Sequence, residues 1–352
     1  MLLLPIGYIL VYISQRNPNQ VEKLYSSGIY KNIVSAISII TGIFPFSIGE
    51  VLVILGLLFI IVSIILTAYK AITRKIGYRK ILLYLRNVLI AFSVLYFVFN
   101  ILWGLNYYRL PFAKLANIDT RPATIQELAA LCDDLINKTN ELRKEIEFSK
   151  GNKPTEDNYK YILENAYKGY EVAKNIYPEL GGRYGRPKGV IFSKAMSYMG
   201  ITGIYFPFTG EANVNMDTPY VSLPATVTHE MAHQRGFARE DEANFIAYTT
   251  CKVHPDLDFQ YSGYILALTH SMNSLYANDR ERYAELSKKY SNEVKNDLIE
   301  ISRHWAKYEG PIEKASNKMN NAYLKSNNQK DGVKSYGRMV DLLIAEYRMM
   351  NK

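Results

Sequence analysis

The sequence predicts a mostly helical α+β protein, with N-terminal transmembrane helices followed by a soluble domain that has a small sheet and a C-terminal helical subdomain. Three observations carry that reading. The first third of the chain contains long uncharged apolar runs. Residues 188–216 interleave β-branched and aromatic residues with Gly and Pro, the composition of short strands. After Asn244 helical periodicity dominates. A chain of 352 residues has room for a membrane segment and one sizeable domain, divided here as 1–109 and 110–352.

Val51 to Tyr69 is nineteen residues without a charge and Asn87 to Tyr108 is twenty-two, both close to the length that crosses a hydrocarbon core. Between them Lys70, Arg74, Lys75, Arg79, Lys80 and Arg86 stand without an acidic residue. The positive-inside rule therefore puts that loop in the cytoplasm and the domain outside. Met1 to Gln15 is also uncharged and reads as a first span, giving about three crossings of the lipid bilayer, the alternative being a processed signal that would leave two with the same orientation. Residues 30–48 read either as an interfacial helix or as a core helix of an outer loop. Trp103, Tyr107 and Tyr108, at the end of the last run, are placed like an interfacial aromatic belt.

Charge obeys the same division. Residues 1–109 carry ten basic and two acidic residues, whereas residues 110–352 carry 32 and 31. The basic balance belongs to the membrane segment, so nucleic acid is not an expected partner. Only Cys132 and Cys251 are present, which excludes a disulfide-built domain and leaves a single bridge between them open.

In the domain, Thr124-x-x-Glu127 is a capping-box start for a helix to about Phe148, and a second helix is expected from Thr155 to Tyr177. Strands are expected at Val190–Phe192, Ile201–Phe206 and Ala212–Met216. The stretch Ile204–Asn215 would be a sheet edge able to pair with an extended peptide. Ser222 can cap a helix running from about Pro224 through Gln234.

That helix carries the chemistry. His229 and His233 stand at i and i+4, so both imidazoles project from one face, one turn apart, as two corners of a tetrahedral zinc (Zn2+) site. Glu230 falls between them, beside the open coordination position where a water would be activated. Gly236 suits a left-handed turn that brings the chain back. A third ligand is then expected among Glu240, Asp241 and Glu242. Glu240 is preferred, with Glu242 the alternative. Asn244, one turn on from Glu240, is placed to accept the outer ring N–H of a metal-bound histidine.

These residues resemble the zincin metallopeptidases. The segment from Glu240 to Asn244 is similar to the Glu-x-x-Ala-Asp third-ligand helix of membrane-bound gluzincins, with Asn244 in place of Asp and a compressed spacing. Arg239 occupies the third-ligand position of metzincins. The whole chain, membrane-spanning start included, resembles a bacterial family catalogued as domain of unknown function 3810. The resemblance implies a zincin-like domain, a zinc cofactor and a peptide or protein substrate.

The expected function is therefore a membrane-anchored zinc metallopeptidase. Its rival is a non-catalytic membrane sensor or scaffold whose zinc site ties two helices together. His254, His270 and His304 have no partner at metal spacing and read as surface or packing residues, although His304 beside Trp305 could face the site. Tyr336 or Arg338, entering the last helix, is the candidate to stabilise an oxyanion.

Overall fold

The computed structural model describes residues 2–73, 77–146, 155–329 and 338–350. It is mostly helical with one small mixed sheet. The chain starts with α1 (Leu3–Arg16) and α2 (Pro18–Gln20), passes through a π-wound segment (Val21–Tyr30) and continues as α3 (Lys31–Thr41). Two long apolar helices come next, α4 (Ile48–Ile72) and α5 (Tyr78–Leu102), each of 25 residues and each long and apolar enough to cross a membrane. With 14 residues, about 21 Å at ~1.5 Å per residue, α1 falls short of that length. It lies along α5, where a Cβ on Gly7 would come 3.0 Å from the Tyr96 ring.

The domain opens with α6 (Phe112–Leu115) and α7 (Ile125–Glu145), whose capping box has Thr124 and Glu127 each serving the other's backbone N–H. The helix expected over Thr155–Tyr177 is broken at Ala166 into α8 (Glu156–Asn165) and α9 (Tyr167–Ala173). Strand β1 (Lys188–Val190), helix α10 (Ser193–Tyr198), β2 (Gly203–Phe206) and β3 (Glu211–Asn215) succeed them. The sheet order is β1-β3-β2, parallel between β1 and β3 and antiparallel between β2 and β3. This corrects the expected edge at Ile204–Asn215: β3 is central and buried throughout, so only the part of that stretch in β2, up to Phe206, lies on an edge strand, the other edge being β1.

Next come α11 (Leu223–Gln234), α12 (Glu240–Lys252), α13 (Leu257–Asn278), α14 (Arg280–Leu286), α15 (Asn292–Ala306), α16 (Pro311–Ser326) and α17 (Met339–Met350). Pro224 lies in the first turn of α11 as expected, but Ser222 makes no side-chain cap. The main core joins α7, α9, α11, α12, α13 and α17 through side chains such as Leu135, Tyr170, Leu223, Phe245, Phe259 and Leu343. Cys132 and Cys251 are both buried free thiols, Cys251 lying 3.3 Å from Thr228 Oγ1.

A second core welds the apolar helices to the domain: Val21, Tyr25, Tyr30, Val34, Trp103, Leu105, Tyr107 and Tyr108 pack with Tyr205 and Ala238. Residues 30–48 thus divide between a packed helix, α3, and the lead-in to α4. The aromatic-belt expectation is corrected by the same packing. Trp103, Tyr107 and Tyr108 are buried in protein, because α5 ends at Leu102 and a 3-10 turn folds Gly104–Tyr108 back onto the domain.

Buried charges reinforce the weld. Lys188 Nζ on β1 meets Glu211 Oε1 on β3 at 2.5 Å and also donates to the carbonyls of Thr41 and Phe46. The Glu211 carboxylate in turn accepts the N–H groups of Ile48 and Gly49 at 3.0 and 2.6 Å, which satisfies orphan donors at the start of α4. Arg109 and Glu22 form a further buried pair at 2.8 Å.

Candidate metal centre

Helix α11 is almost wholly buried, packed on β3 on one side and on α12 and α13 on the other, so its direction is fixed by core packing. The i, i+4 spacing places His229 and His233 with ring centroids 4.7 Å apart. Gly236 then adopts φ +84°, the left-handed conformation a glycine tolerates, and turns the chain back into α12. An added Cβ there would also lie 2.9 Å from the Tyr30 ring.

The turn returns Glu240 to the histidines. Glu240 Oε2 lies 3.2 Å from His229 Nε2 and 3.4 Å from His233 Nε2. His229, His233 and Glu240 form a group that could hold a metal ion, all three ligand atoms lying within 4.8 Å of one another. Glu242, the alternative, faces elsewhere: its Oε1 accepts the Phe112 N–H at 2.9 Å and pairs with Arg239 at 3.1 Å. Asp241 also stands outside the group.

The outer nitrogen of His233 is engaged differently from expectation. Nδ1 lies 2.7 Å from the backbone carbonyl of Phe237, which the Gly236 turn presents to it; as an N–H donor there it leaves Nε2 to face Glu240. Asn244 is buried but makes no hydrogen bond to either histidine among the described residues, so the expected link through it is corrected. From behind, the Tyr30 hydroxyl donates toward the His233 and Gln234 carbonyls at 3.3 and 3.4 Å, and the Trp103 ring meets the His233 ring edge-on at 5.8 Å.

Burial acts to lower the His233 pKa, but the adjacent Glu240 carboxylate outweighs it and raises the value to about 9. Burial opposes ionisation of Glu240, and the two histidines overcome it, holding the carboxyl well below the usual carboxylate range. Glu230 moves the other way. Burial pushes its pKa up, against the pull of His229 and His233. It lies against β2, where a Cβ on Gly203 would fall 2.5 Å from Oε1, while its Oε2 is buried with no hydrogen-bond partner among the described residues.

Three further groups reach this place unannounced by spacing. Tyr107 and Tyr323 share a hydroxyl hydrogen bond of 3.0 Å, and burial, with a smaller contribution from the Glu240 charge, raises the pKa values of both phenols. His270 on α13 is close enough to feel His229. Burial first, then that neighbour, lowers its pKa to about 4, so it is neutral at neutral pH. His254 is packing, stacked on Phe259 at 3.8 Å, and His304 lies 3.5 Å from Asp217. Tyr336 lies outside the described residues, and Arg338 is exposed at the start of α17, where it acts on Asp341.

A family model described as "Protein of unknown function (DUF3810)" matches residues 25–344, most of the chain. The chain belongs to this family. The match begins within the π-wound segment and ends in α17, so DUF3810 takes in the apolar helices and the metal group together. No curated protein and no solved structure gives a match to it.

Proposed function

We propose that this DUF3810 chain is a membrane-anchored, zinc-dependent metallopeptidase that hydrolyses peptide bonds, with Glu230 as the general base. One observation carries the reading. Two imidazole nitrogens and one carboxylate oxygen converge next to a separate buried carboxylate, Glu230, whose Oε2 has no partner among the described residues. His2Glu is a catalytic zinc donor set, and the ligand-to-ligand edge of a tetrahedron with bonds of ~2.0–2.1 Å is roughly 3.3 Å. The 3.2 and 3.4 Å separations fit that edge.

His229, His233 and Glu240 would hold the zinc, which would supply Lewis acidity toward the scissile carbonyl. The chain's own residues do the rest. Glu230, with its pKa raised by burial, takes a proton from the attacking water and returns it to the leaving amine. The edge strand β2 offers main-chain hydrogen bonds to an extended peptide beside Glu230. The hydrogen-bonded pair Tyr107 and Tyr323, whose phenols feel the Glu240 charge, is the side-chain group we assign to meet developing negative charge.

The domain is placed outside the cytoplasmic membrane, with α4 and α5 as spans. Lys70, Arg79, Lys80 and Arg86 lie toward the ends of these helices remote from the domain, the end that the positive-inside rule assigns to the cytoplasm. A reporter fused after Lys352 tests this, since activity in the cytoplasm would invert the topology.

A purely structural zinc site, the sensor or scaffold reading, needs a fourth protein ligand, and the group stops at three among the described residues. Metal analysis of the purified full chain, with Glu230→Gln beside the parent, tests the proposal. Near one equivalent of zinc in both, with hydrolysis of a peptide library by the parent alone, is expected. Less than about a tenth of an equivalent in the parent, unaltered by His229→Ala, sinks it.

A further inference from the structure

The surface of the domain that borders the start of α4 is apolar and exposed, and nothing among the described residues covers it. Ile43, Phe44 and Phe46 are 74, 41 and 42% exposed and immediately precede Ser47, the N-cap of α4. Ile191 and Phe192, 74 and 57% exposed, lie far away in sequence but are fixed at the same level. Their backbone N–H groups donate to Glu50 at 3.0 and 2.8 Å. Glu50 stands in the first turn of α4, directly before the uncharged run that starts at Val51.

The position of this rim along the membrane normal is set by helix length. A 25-residue helix is about 37 Å long at ~1.5 Å per residue, against a hydrocarbon core of ~30 Å, so each span has only a few Å to spare at either end. No stalk lifts the domain away. Gly49 bonds directly to Glu211 of the sheet, and Trp103, one residue past the end of α5, touches His233. The rim is therefore continuous with the lipid-facing surface of α4, and exposed apolar side chains at that depth are stabilised by the interfacial layer.

We propose that Ile43, Phe44, Phe46, Ile191 and Phe192 rest in the lipid headgroup layer and hold the metal centre at the bilayer surface, so that its substrate is a polypeptide tethered to the membrane. The first half rests on α4 and α5 being spans, and the second also on the peptidase reading. Tethering concentrates such a substrate at the site, whereas a peptide diffusing in bulk gains nothing from the location.

The experiment uses the full chain in vesicles of phosphatidylcholine and phosphatidylglycerol, with and without brominated acyl chains. A fluorophore is attached in turn at Phe44→Cys, Ile191→Cys and Ile60→Cys, the last midway along α4. Cys132 and Cys251 have no exposed surface and do not compete for label. Quenching by brominated lipid at positions 44 and 191 as well as 60 is expected. Quenching at 60 alone overturns the rim while leaving the spans intact, and no quenching at 60 overturns the spans and the rim with them.

The second arm compares a quenched fluorogenic peptide library carrying a lipid anchor with the same library free, at equal bulk concentration. Turnover of the anchored form about tenfold higher or more is expected, falling toward the free value in the Ile191→Ser, Phe192→Ser double variant. Equal turnover overturns the tethered-substrate half. Cleavage of neither form overturns the peptidase reading and this half with it, while the quenching result stands on its own.

Discussion

Gly203 and Glu230 are in contact so close that a single methyl group on the strand would have to occupy the space of the carboxylate: a Cβ at Gly203 would lie 2.5 Å from Oε1, 2.6 Å from Cγ and 2.7 Å from Cδ of Glu230. The strand cannot retreat without breaking its pairing with β3, so Gly203→Ala should displace Glu230 and leave the metal ligands in place. With Glu230 as the general base of the proposed peptidase, turnover of peptide is expected to fall about 10²-fold with metal content unchanged. Loss of metal in this variant would show that the strand supports the ligands and not the base.

Glu240 and Glu242 should separate cleanly. Glu240→Ala removes the carboxylate that faces both histidines and is expected to abolish stoichiometric metal binding. Glu242→Ala should keep the metal and lower stability by about 1–3 kcal/mol, since it leaves the buried Phe112 N–H without its acceptor. Metal titration and thermal melts of the two variants read both effects, and the reverse pattern would show that Glu242 is the ligand.

The Lys188–Glu211 pair is predicted to be unequal under deletion. Lys188→Met leaves a buried carboxylate without its cation, a loss of about 3–5 kcal/mol. Adding Glu211→Leu removes that stranded charge but also the acceptor for Ile48, Gly49 and Thr209. The double variant should therefore recover only part of the loss. Denaturant melts in detergent measure it, and full recovery would show that the helix-capping bonds contribute nothing.

Acid should loosen the contact between α7 and α17 before it unfolds the core. Hydrogen bonds from Arg348 first, then from the Thr124 backbone, lower the Glu127 pKa to about 2 from a usual 4.5. A depressed folded pKa means that the stabilisation is whole above the unfolded value and is lost as pH falls from 4.5 toward 2. Glu127→Gln should flatten that portion of the stability–pH profile. An unchanged acid limb would assign it to other carboxylates.

His229, Glu230 and His233 were legible because a helix converts sequence spacing directly into shared direction, and Glu240 because Gly236 announced where the chain turns back. The acceptor for the His233 ring was not legible. It is a main-chain carbonyl, which every residue carries, and its position depends on the turn's shape. The aromatic wall is ambiguous in sequence for a different reason. Trp103 and Tyr107 close a long apolar run, where a lipid-facing belt and a buried site wall call for the same residue types, and only their contacts with His233 and Tyr323 distinguish the two. Residues 21–34 gave no hint of reaching the site, since Tyr30 meets the His233 carbonyl across some two hundred positions of sequence. Composition reveals the small sheet, but strand order is a long-range property, so composition alone does not tell the central β3 from the edge β2.

The Glu22–Arg109 ion pair, the Glu50 bonds to Ile191 and Phe192 and the Glu211 cap on α4 all tie residues N-terminal to the junction of α4 and α5 to residues C-terminal to it. These contacts are expected to hold the two parts of the chain together without a covalent link between them. Residues 1–73 and 77–352, translated as two separate polypeptides in one cell, are expected to be recovered as a stoichiometric pair by affinity capture of either. A nick there would behave as a scar and not as a dissection, and an affinity tag inserted at that point should leave the metal centre at the other end of the helices undisturbed.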